Sequence, residues 1–308
     1  MGETMSRWNR VELPVSQPKP RRFMALPSVK TMLQACFGMP NNERVAQDIQ
    51  TFVPFADTSH ASVEFQPFDA KVAAICERYV QLRLQPYLST LQWEMSQRGM
   101  PALRPLLHHF PDDPATYTIP DQMMVGAWLL AAPIYEPKHT CRTVYLPQGQ
   151  WYDWWNETLI EGPTTLLVQG STEQMPLFVR AGAIIPNTSM RAYVPGCVLD
   201  PLILDVFPGV GGLTLYEGDQ AAMMGDSDQF CITTFRQRVC DGRLCVVFGE
   251  QSGLYAPPHR ILVLRVHNLD RIAAAAYPTA RYDAKRRVLT LELIDDGRSR
   301  QLEFAFKV

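Results

Sequence analysis

The stretch that decides the fold is residues 175–186, MPLFVRAGAIIP. It contains two short runs rich in apolar residues, 177–180 and 183–185, with Gly182 between them and a proline at the end. Short runs rich in β-branched and aromatic residues, separated by glycine or proline, are typical of strands joined by tight turns. This stretch therefore predicts β-structure.

The same pattern extends in both directions from residue 125 to residue 308. Alternation is clearest at Leu289, Leu291 and Leu293, which have polar residues between them. Short strands with frequent turn signals predict two antiparallel β-sandwiches, divided within residues 186–200. The predicted strands are residues 143–146, 151–155, 165–168, 177–180, 183–185, 202–207, 212–216, 230–238, 243–248, 260–266, 287–293 and 301–308.

One long amphipathic helix is predicted before the β-rich part, over residues 69–98. Asp69 can cap it, and apolar residues recur at spacings of three and four. Pro86 is expected to kink or split the helix, and Gly99 to end it. The apolar stripe of this helix is expected to be exposed unless the N-terminal residues or a partner cover it.

The chain therefore divides into four predicted segments. Residues 1–68 are rich in proline, lack a sustained period and are expected to form an irregular arm. The others are residues 69–124, the helix and its connection, residues 125–199, the first sandwich, and residues 200–308, the second.

Composition excludes several classes of partner. The formal net charge of −2 gives no electrostatic reason to expect a nucleic acid or an anionic membrane. There is no apolar run of the roughly 20 residues that a transmembrane helix needs. No apolar signal-peptide core follows Met1, so a cytoplasmic location is expected if that N-terminus is genuine.

The cysteines do not suggest a metal site or another cofactor site. Seven are spread along the chain without a CxxC pair, and the six histidines do not cluster with them. We interpret them as free, mostly buried thiols. They are Cys36, Cys76, Cys141, Cys197, Cys231, Cys240 and Cys245.

An ordered series of short motifs resembles the C-terminal part of glycoside hydrolase family 31, the α-glucosidases and α-xylosidases. The series covers about a third of the chain, and residues 207–209 and 215–217 extend it more weakly. Its members are Arg78-Tyr79-Val80-Gln81-Leu82-Arg83, Pro86-Tyr87-Leu88, Arg104-Pro105-Leu106, Phe110-Pro111-Asp112-Asp113, Asp121-Gln122, Gly126, Leu129-Leu130, Ala132-Pro133, Val144-Tyr145-Leu146-Pro147, Trp151-Tyr152-Asp153 and Pro176 to Pro186.

The resemblance implies a fold and a substrate class. In this family a (β/α)8 barrel is followed by a proximal and a distal β-sandwich. Residues 69–98 would then be the last barrel helix, residues 1–68 a barrel remnant, and residues 125–199 and 200–308 the two sandwiches. The implied substrates are α-linked glycosides, and the implied partners are carbohydrate and a catalytic barrel. Association with a second copy of the chain is expected from the exposed apolar stripe of the helix.

The resemblance also implies that the catalytic residues are elsewhere. Retaining glycosidases need two carboxyl groups about 5–5.5 Å apart, and in this family both are aspartates on barrel strands upstream of every matched motif. We therefore expect no catalytic residue in this chain and no activity from it alone. Asp112, Asp113 and Asp121 are the local candidates, but prolines flank the first two, which favours a structural role in a turn.

One residue resembles a substrate ligand of the family. Residues 52–60 are similar to a segment that ends in arginine and histidine, where the histidine contacts the sugar in the first subsite. His60 would be that residue, although Asp57 lies near the place of the arginine and the spacing needs a one-residue slip. The alternative is an ordinary loop histidine.

Two further groups could bind ligands. Trp151, Tyr152, Trp154 and Trp155 could stack on sugars, but alternating aromatic residues on a strand more often fill a core. One strand face would then be core and the other surface. His108-His109 lack a metal-ligand partner at helical spacing and are interpreted as structural.

Three hypotheses stay open on the sequence alone. The first is a partial α-glucosidase-type hydrolase that depends on an upstream barrel. The second is a non-catalytic carbohydrate-binding or interaction module, and the third is a decayed gene. A longer upstream reading frame with two barrel aspartates would favour the first.

Overall fold

A computed structural model describes residues 82–132, 141–170, 175–188, 200–218, 229–269, 277 and 279–305. In these residues the chain is mainly β-structure, as predicted. The helices are α1 (Leu82–Arg98) and the single turn α2 (Leu106–His109), with a 3-10 helix at Pro114–Thr118. The strands are β1 (Leu103–Pro105), β2 (Met123–Val125), β3 (Leu129–Ala131), β4 (Cys141–Asp153), β5 (Leu159–Gln169), β6 (Leu177–Arg180), β7 (Ile184–Thr188), β8 (Leu202–Val206), β9 (Gly211–Gly218), β10 (Phe230–Cys240), β11 (Arg243–Gly253), β12 (Arg260–Val266), β13 (Arg281–Asp283), β14 (Val288–Asp295) and β15 (Arg300–Ala305).

The strands pair into three sheets. A six-stranded sheet has the order β1-β2-β3-β6-β4-β5, a four-stranded sheet β15-β11-β10-β9, and a five-stranded sheet β13-β14-β12-β8-β7. Strand β8 pairs with β12 in parallel, so the prediction of purely antiparallel pairing is wrong at that place. The division into two sandwiches stays a prediction.

The stretch MPLFVRAGAIIP carries the chain from one sheet to another. Strand β6 pairs with β3 and β4, whereas β7, after the turn at Gly182, pairs with β8. A Cβ at Gly182, where φ is +95°, would lie 2.4 Å from the carbonyl oxygen of Val210, so only glycine fits. The predicted boundary between residues 199 and 200 therefore lies between two paired strands of one sheet.

The four- and five-stranded sheets share one hydrophobic core. Leu215, Phe235 and Phe304 contribute from the first sheet, and Leu264 and Leu291 from the second. All five are buried because the pleat directs every second side chain inward. A second, smaller cluster around Trp151 and Phe178 lies in the six-stranded sheet.

Helix α1 packs on this core. Leu84, Leu88 and Leu91 are buried in the same cluster as residues of β7 and β9, and the amide of Tyr216 donates to Thr90 Oγ1 at 3.1 Å. The expectation of an exposed apolar stripe is therefore wrong for these residues, because the sheets cover it.

The structure describes the C-terminal end of the predicted helix and the expected break at Pro86. The helix continues through Pro86 and is not split there. Gly99, at φ +69°, donates its amide to the Met95 carbonyl at 2.8 Å and ends the helix as predicted. Residues 69–81 lie outside the described part of the chain. No helix among the described residues is long and apolar enough to span a membrane.

Candidate functional site

Asp113, a candidate catalytic carboxylate, holds a turn. Its Oδ1 accepts the amide of Ala115 at 3.1 Å and so caps the 3-10 helix. Its Oδ2 accepts the hydroxyl of Tyr145 at 2.7 Å, and burial together with this carboxylate raises the pKa of Tyr145 to about 12. Asp112 beside it is exposed. These contacts support the structural interpretation of the pair.

Asp121, the third candidate, anchors the same region. Its Oδ2 pairs with Arg142 Nη2 at 2.5 Å. The neighbouring Gln122 bonds both backbone groups of Tyr145, accepting its N–H at 2.8 Å and donating to its carbonyl at 2.7 Å. The motif Asp121-Gln122 therefore ties the chain before β2 to β4.

The segment predicted to contact a sugar lies outside the described part of the chain. His60 and Asp57 lie outside the described residues, so the substrate-binding role of His60 stays a prediction.

The aromatic cluster is mostly core. Trp151 and Tyr152 are buried on opposite faces of β4, one in each hydrophobic cluster. Trp151 Nε1 donates to the Pro147 carbonyl at 2.8 Å, and Trp155 Nε1 to the Met175 carbonyl at 2.7 Å. Core packing is confirmed for Trp151 and Tyr152, and a surface face at this point of β4 is wrong.

His109, one of the two adjacent histidines, lies beside an arginine. His109 Nε2 lies 3.5 Å from Arg104 Nη1. Burial, Arg104 and His108 lower the pKa of His109 to about 4, so it is neutral near pH 7. No group of three or more metal-ligating His, Cys, Asp or Glu side chains occurs in the described ranges.

A buried polar network, unpredicted from the sequence, joins two of the sheets. It begins at Glu157 in the turn between β4 and β5. Asp153 Oδ1 accepts the amides of Trp155 and Asn156, at 2.8 and 3.2 Å. Glu157 follows with φ +63°, a left-handed conformation uncommon for residues other than glycine.

Across the interface this carboxylate meets His267. Glu157 Oε2 lies 3.4 Å from His267 Nδ1, and Asp205 Oδ1 lies 3.0 Å from His267 Nε2. Arg265 pairs with Asp205 at 2.6 Å, and the ring of His267 stacks on Phe207 with centroids 4.4 Å apart. The imidazole therefore lies between two carboxylates, each only 5–9% exposed.

The pKa values of the network follow from these contacts. Burial lowers the pKa of His267, but Asp205 and Glu157 outweigh it and the net shift is upward. Burial raises the pKa of Asp205, but Arg265 and His267 outweigh it and the net shift is downward. The native state therefore favours protonated His267 and ionised Asp205.

A cavity of about 580 Å³ lies beside this network, and all three sheets contribute to it. Tyr152 and the turn residues 156–158 come from the six-stranded sheet, and Val239 from the four-stranded sheet. Asn268 and residues 285–287 come from the five-stranded sheet and its turns. This cavity is the candidate functional site.

Sequence reasoning missed most residues of this site. Two signals were present: Lys285-Arg286-Arg287 is the only run of three consecutive basic residues, and Asn156-Glu157-Thr158 matches a glycosylation sequon. Neither predicts that residues more than a hundred positions apart meet at one cavity, because that depends on how the sheets pack.

Comparison with known proteins identifies the matched region. Residues 99–185 match the glycosyl hydrolase family 31 C-terminal domain. A 1,6-alpha-glucosyltransferase of Sporosarcina globispora is 32% identical over 200 residues, which are 61% of this chain and 15% of that protein. An alpha-glucosidase of Saccharolobus solfataricus is 41% identical over 119 residues, 39% of this chain and 16% of that protein.

A solved structure extends the likeness to the fold. A GH31 dextranase of Flavobacterium johnsoniae, in complex with isomaltotriose, matches with a TM-score of 0.72 and 22% identity. The match covers 90% of this chain and 38% of that one. The chain thus spans only a small part of these curated relatives. Residues 99–185 thus match the C-terminal domain of glycosyl hydrolase family 31, and the resemblance to the C-terminal part of that family is confirmed.

Proposed function

We propose that this chain forms the β-structured C-terminal part of an α-glucosidase-type glycoside hydrolase that acts on α-linked glycosides in carbohydrate metabolism. The two catalytic aspartates would be supplied by a barrel outside the described residues. The observation that supports this proposal is that residues of the family motifs hold the fold together. Within residues 99–185, Asp113, Asp121, Gln122 and Trp151 are engaged in turns, strand anchoring and core packing.

The proposed role of this part is to support the barrel. Helix α1 would be the last barrel helix, and it is joined to the sheets by three contacts of different kinds. Leu88 lies in the shared core, Tyr87 donates its hydroxyl to the Val125 carbonyl at 2.8 Å, and Trp93 stacks on Tyr216 at 5.8 Å. Such contacts would hold the end of a barrel in a fixed place.

A chimera tests this proposal. The C-terminal region of the Saccharolobus solfataricus alpha-glucosidase would be replaced by the aligned part of this chain and its downstream residues. We expect a folded protein that cleaves an aryl α-glucoside well above the same enzyme ended before the replaced region. A folded chimera no more active than that control would contradict the proposal.

A further inference from the structure

The lining of the cavity carries a cluster of positive charge. Lys285, Arg286 and Arg287 lie in the tight turn between β13 and β14. Asp283 Oδ1 accepts the amides of Lys285 and Arg286, at 2.9 and 3.1 Å. The carboxylate nearest in sequence thus holds the turn that presents these basic side chains.

The acidic side chain of the cavity does not balance this charge. Glu157 is the one carboxylate among the lining residues that the structure describes. Its Oε1 pairs with Arg286 at 2.9 Å and its Oε2 lies beside His267. No ion pair joins the Lys285 ammonium to a carboxylate within the described ranges. The lining is therefore net positive, which favours an anionic ligand.

The rest of the lining suits hydroxyl groups. Gln150, Asn156, Thr158 and Asn268 provide amides and a hydroxyl that can donate and accept hydrogen bonds. The Oδ1 of Asn156 accepts the amide of Thr158 at 2.9 Å, a bond that does not use its side-chain N–H groups. The volume of about 580 Å³ lies in the range of small-molecule sites.

We propose that this cavity binds a sugar that carries one oxyanion, such as a sugar phosphate or a sugar carboxylate. The oxyanion would contact Lys285 and the guanidinium of Arg286, because charge-assisted hydrogen bonds to such groups are strong. The sugar hydroxyls would contact Asn156, Thr158 and Asn268. The site lies outside the proposed catalytic barrel, and its existence does not depend on the hydrolase function.

Calorimetric titration of the full chain tests the ligand class. The probes are glucose 6-phosphate, glucuronate, glucose and inorganic phosphate. We expect at least one of the two acidic sugars to bind, about tenfold or more tighter than both glucose and inorganic phosphate, with an affinity that falls as salt is added. The preferred acid distinguishes phosphate from carboxylate. Absence of binding by both acidic sugars would overturn the proposal, as would equal affinity for inorganic phosphate or glucose.

Two matched variants test the location. Lys285→Ala removes a cation from the cavity, and Arg281→Ala removes an exposed cation of the same hairpin that does not line it. We expect Lys285→Ala to weaken binding of the acidic sugar about tenfold, the loss of one charge-assisted contact, and Arg281→Ala to leave it unchanged. Equal effects of the two variants, or none from Lys285→Ala, would place the ligand elsewhere and overturn the proposal. Both side chains are exposed, so both variants are expected to fold.

Discussion

At the residue scale, the contact with the greatest expected effect on stability is a buried ion pair between the four- and five-stranded sheets. Arg260, 1% exposed, bonds both carboxylate oxygens of Glu217 and pairs with Asp295 at 2.9 Å. A buried charge left without its partner is strongly destabilising. Glu217 belongs to the weaker family motif at residues 215–217, and this ion pair gives that motif a structural reason.

Glu217→Gln tests the ion pair. The change keeps the side-chain size but removes one of the two charges that neutralise Arg260. We expect it to lower the free energy of unfolding by about 3 kcal/mol, the lower end for a broken buried pair because Asp295 remains. Denaturant unfolding measures the change. As a control, Glu303→Gln removes the exposed partner of Arg243 and should cost less than about 1 kcal/mol. Equal costs would contradict this account of Arg260.

His267 should make stability depend on pH. Its pKa is raised above the ordinary 6.5 in the folded state. The stabilisation that protonated His267 gives is therefore complete below pH 6.5, and it is lost as the pH rises through the folded-state pKa of His267. Asp205, with its lowered pKa, acts in the opposite sense: its contribution is present above its ordinary pKa of 3.8 and is lost on acidification.

The matched variants are His267→Gln and His259→Gln. Melting temperature would be followed from about pH 6 to about pH 9. We expect the fall of melting temperature over this range to be smaller in His267→Gln than in the native chain. His259 is exposed, and His259→Gln should keep the native profile. If the melting temperature of His267→Gln depended on pH in the same way as that of the native chain, this histidine would not titrate as inferred.

At the element scale, helix α1 should be integral to the sheets. Leu88 is 3% exposed within the shared core. Leu88→Ala should cost about 2–5 kcal/mol, since it leaves a cavity among residues that can only partly relax. Gln97→Ala, on the exposed last turn, should change stability by less than about 0.5 kcal/mol. Similar effects of both in denaturant unfolding would mean that α1 does not pack as described.

The β-structure should fold without the N-terminal arm. The described helix and sheets bury their apolar side chains in two clusters. A variant that lacks residues 1–68 is expected to show a cooperative thermal transition and a β-type circular dichroism spectrum. Loss of the transition would show that the arm is part of the core.

Local patterns predicted the elements better than their arrangement. Turn residues and alternation are local, so the strands after residue 200 other than β13, and the helix end at Gly99, could be predicted. The long β4, which joins two predicted strands, could not, because the pairing with β5 continues past Pro147 and Gly149 with a shift of register. The parallel pairing of β8 with β12 depends on contacts about sixty residues apart.

At the scale of the whole molecule, the three sheets create a site that no single segment contains. Glu157, Asp205 and His267 come from separate parts of the chain and meet where the sheets join. No sequence pattern predicts that these three residues are buried together, because long-range packing alone decides it. The family motifs, by contrast, were found by resemblance, and their contacts within residues 99–185 are structural.

The central proposal is that this chain contributes structure to a glycoside hydrolase whose catalytic carboxylates lie outside it. The most direct measurement is an assay of the purified chain against aryl α-glucosides and α-xylosides. We predict no turnover above the uncatalysed rate, because without a carboxylate pair neither protonation of the leaving oxygen nor a glycosyl-enzyme can occur. Turnover that is abolished by an asparagine substitution at Asp57, Asp112, Asp113 or Asp121 would contradict the claim.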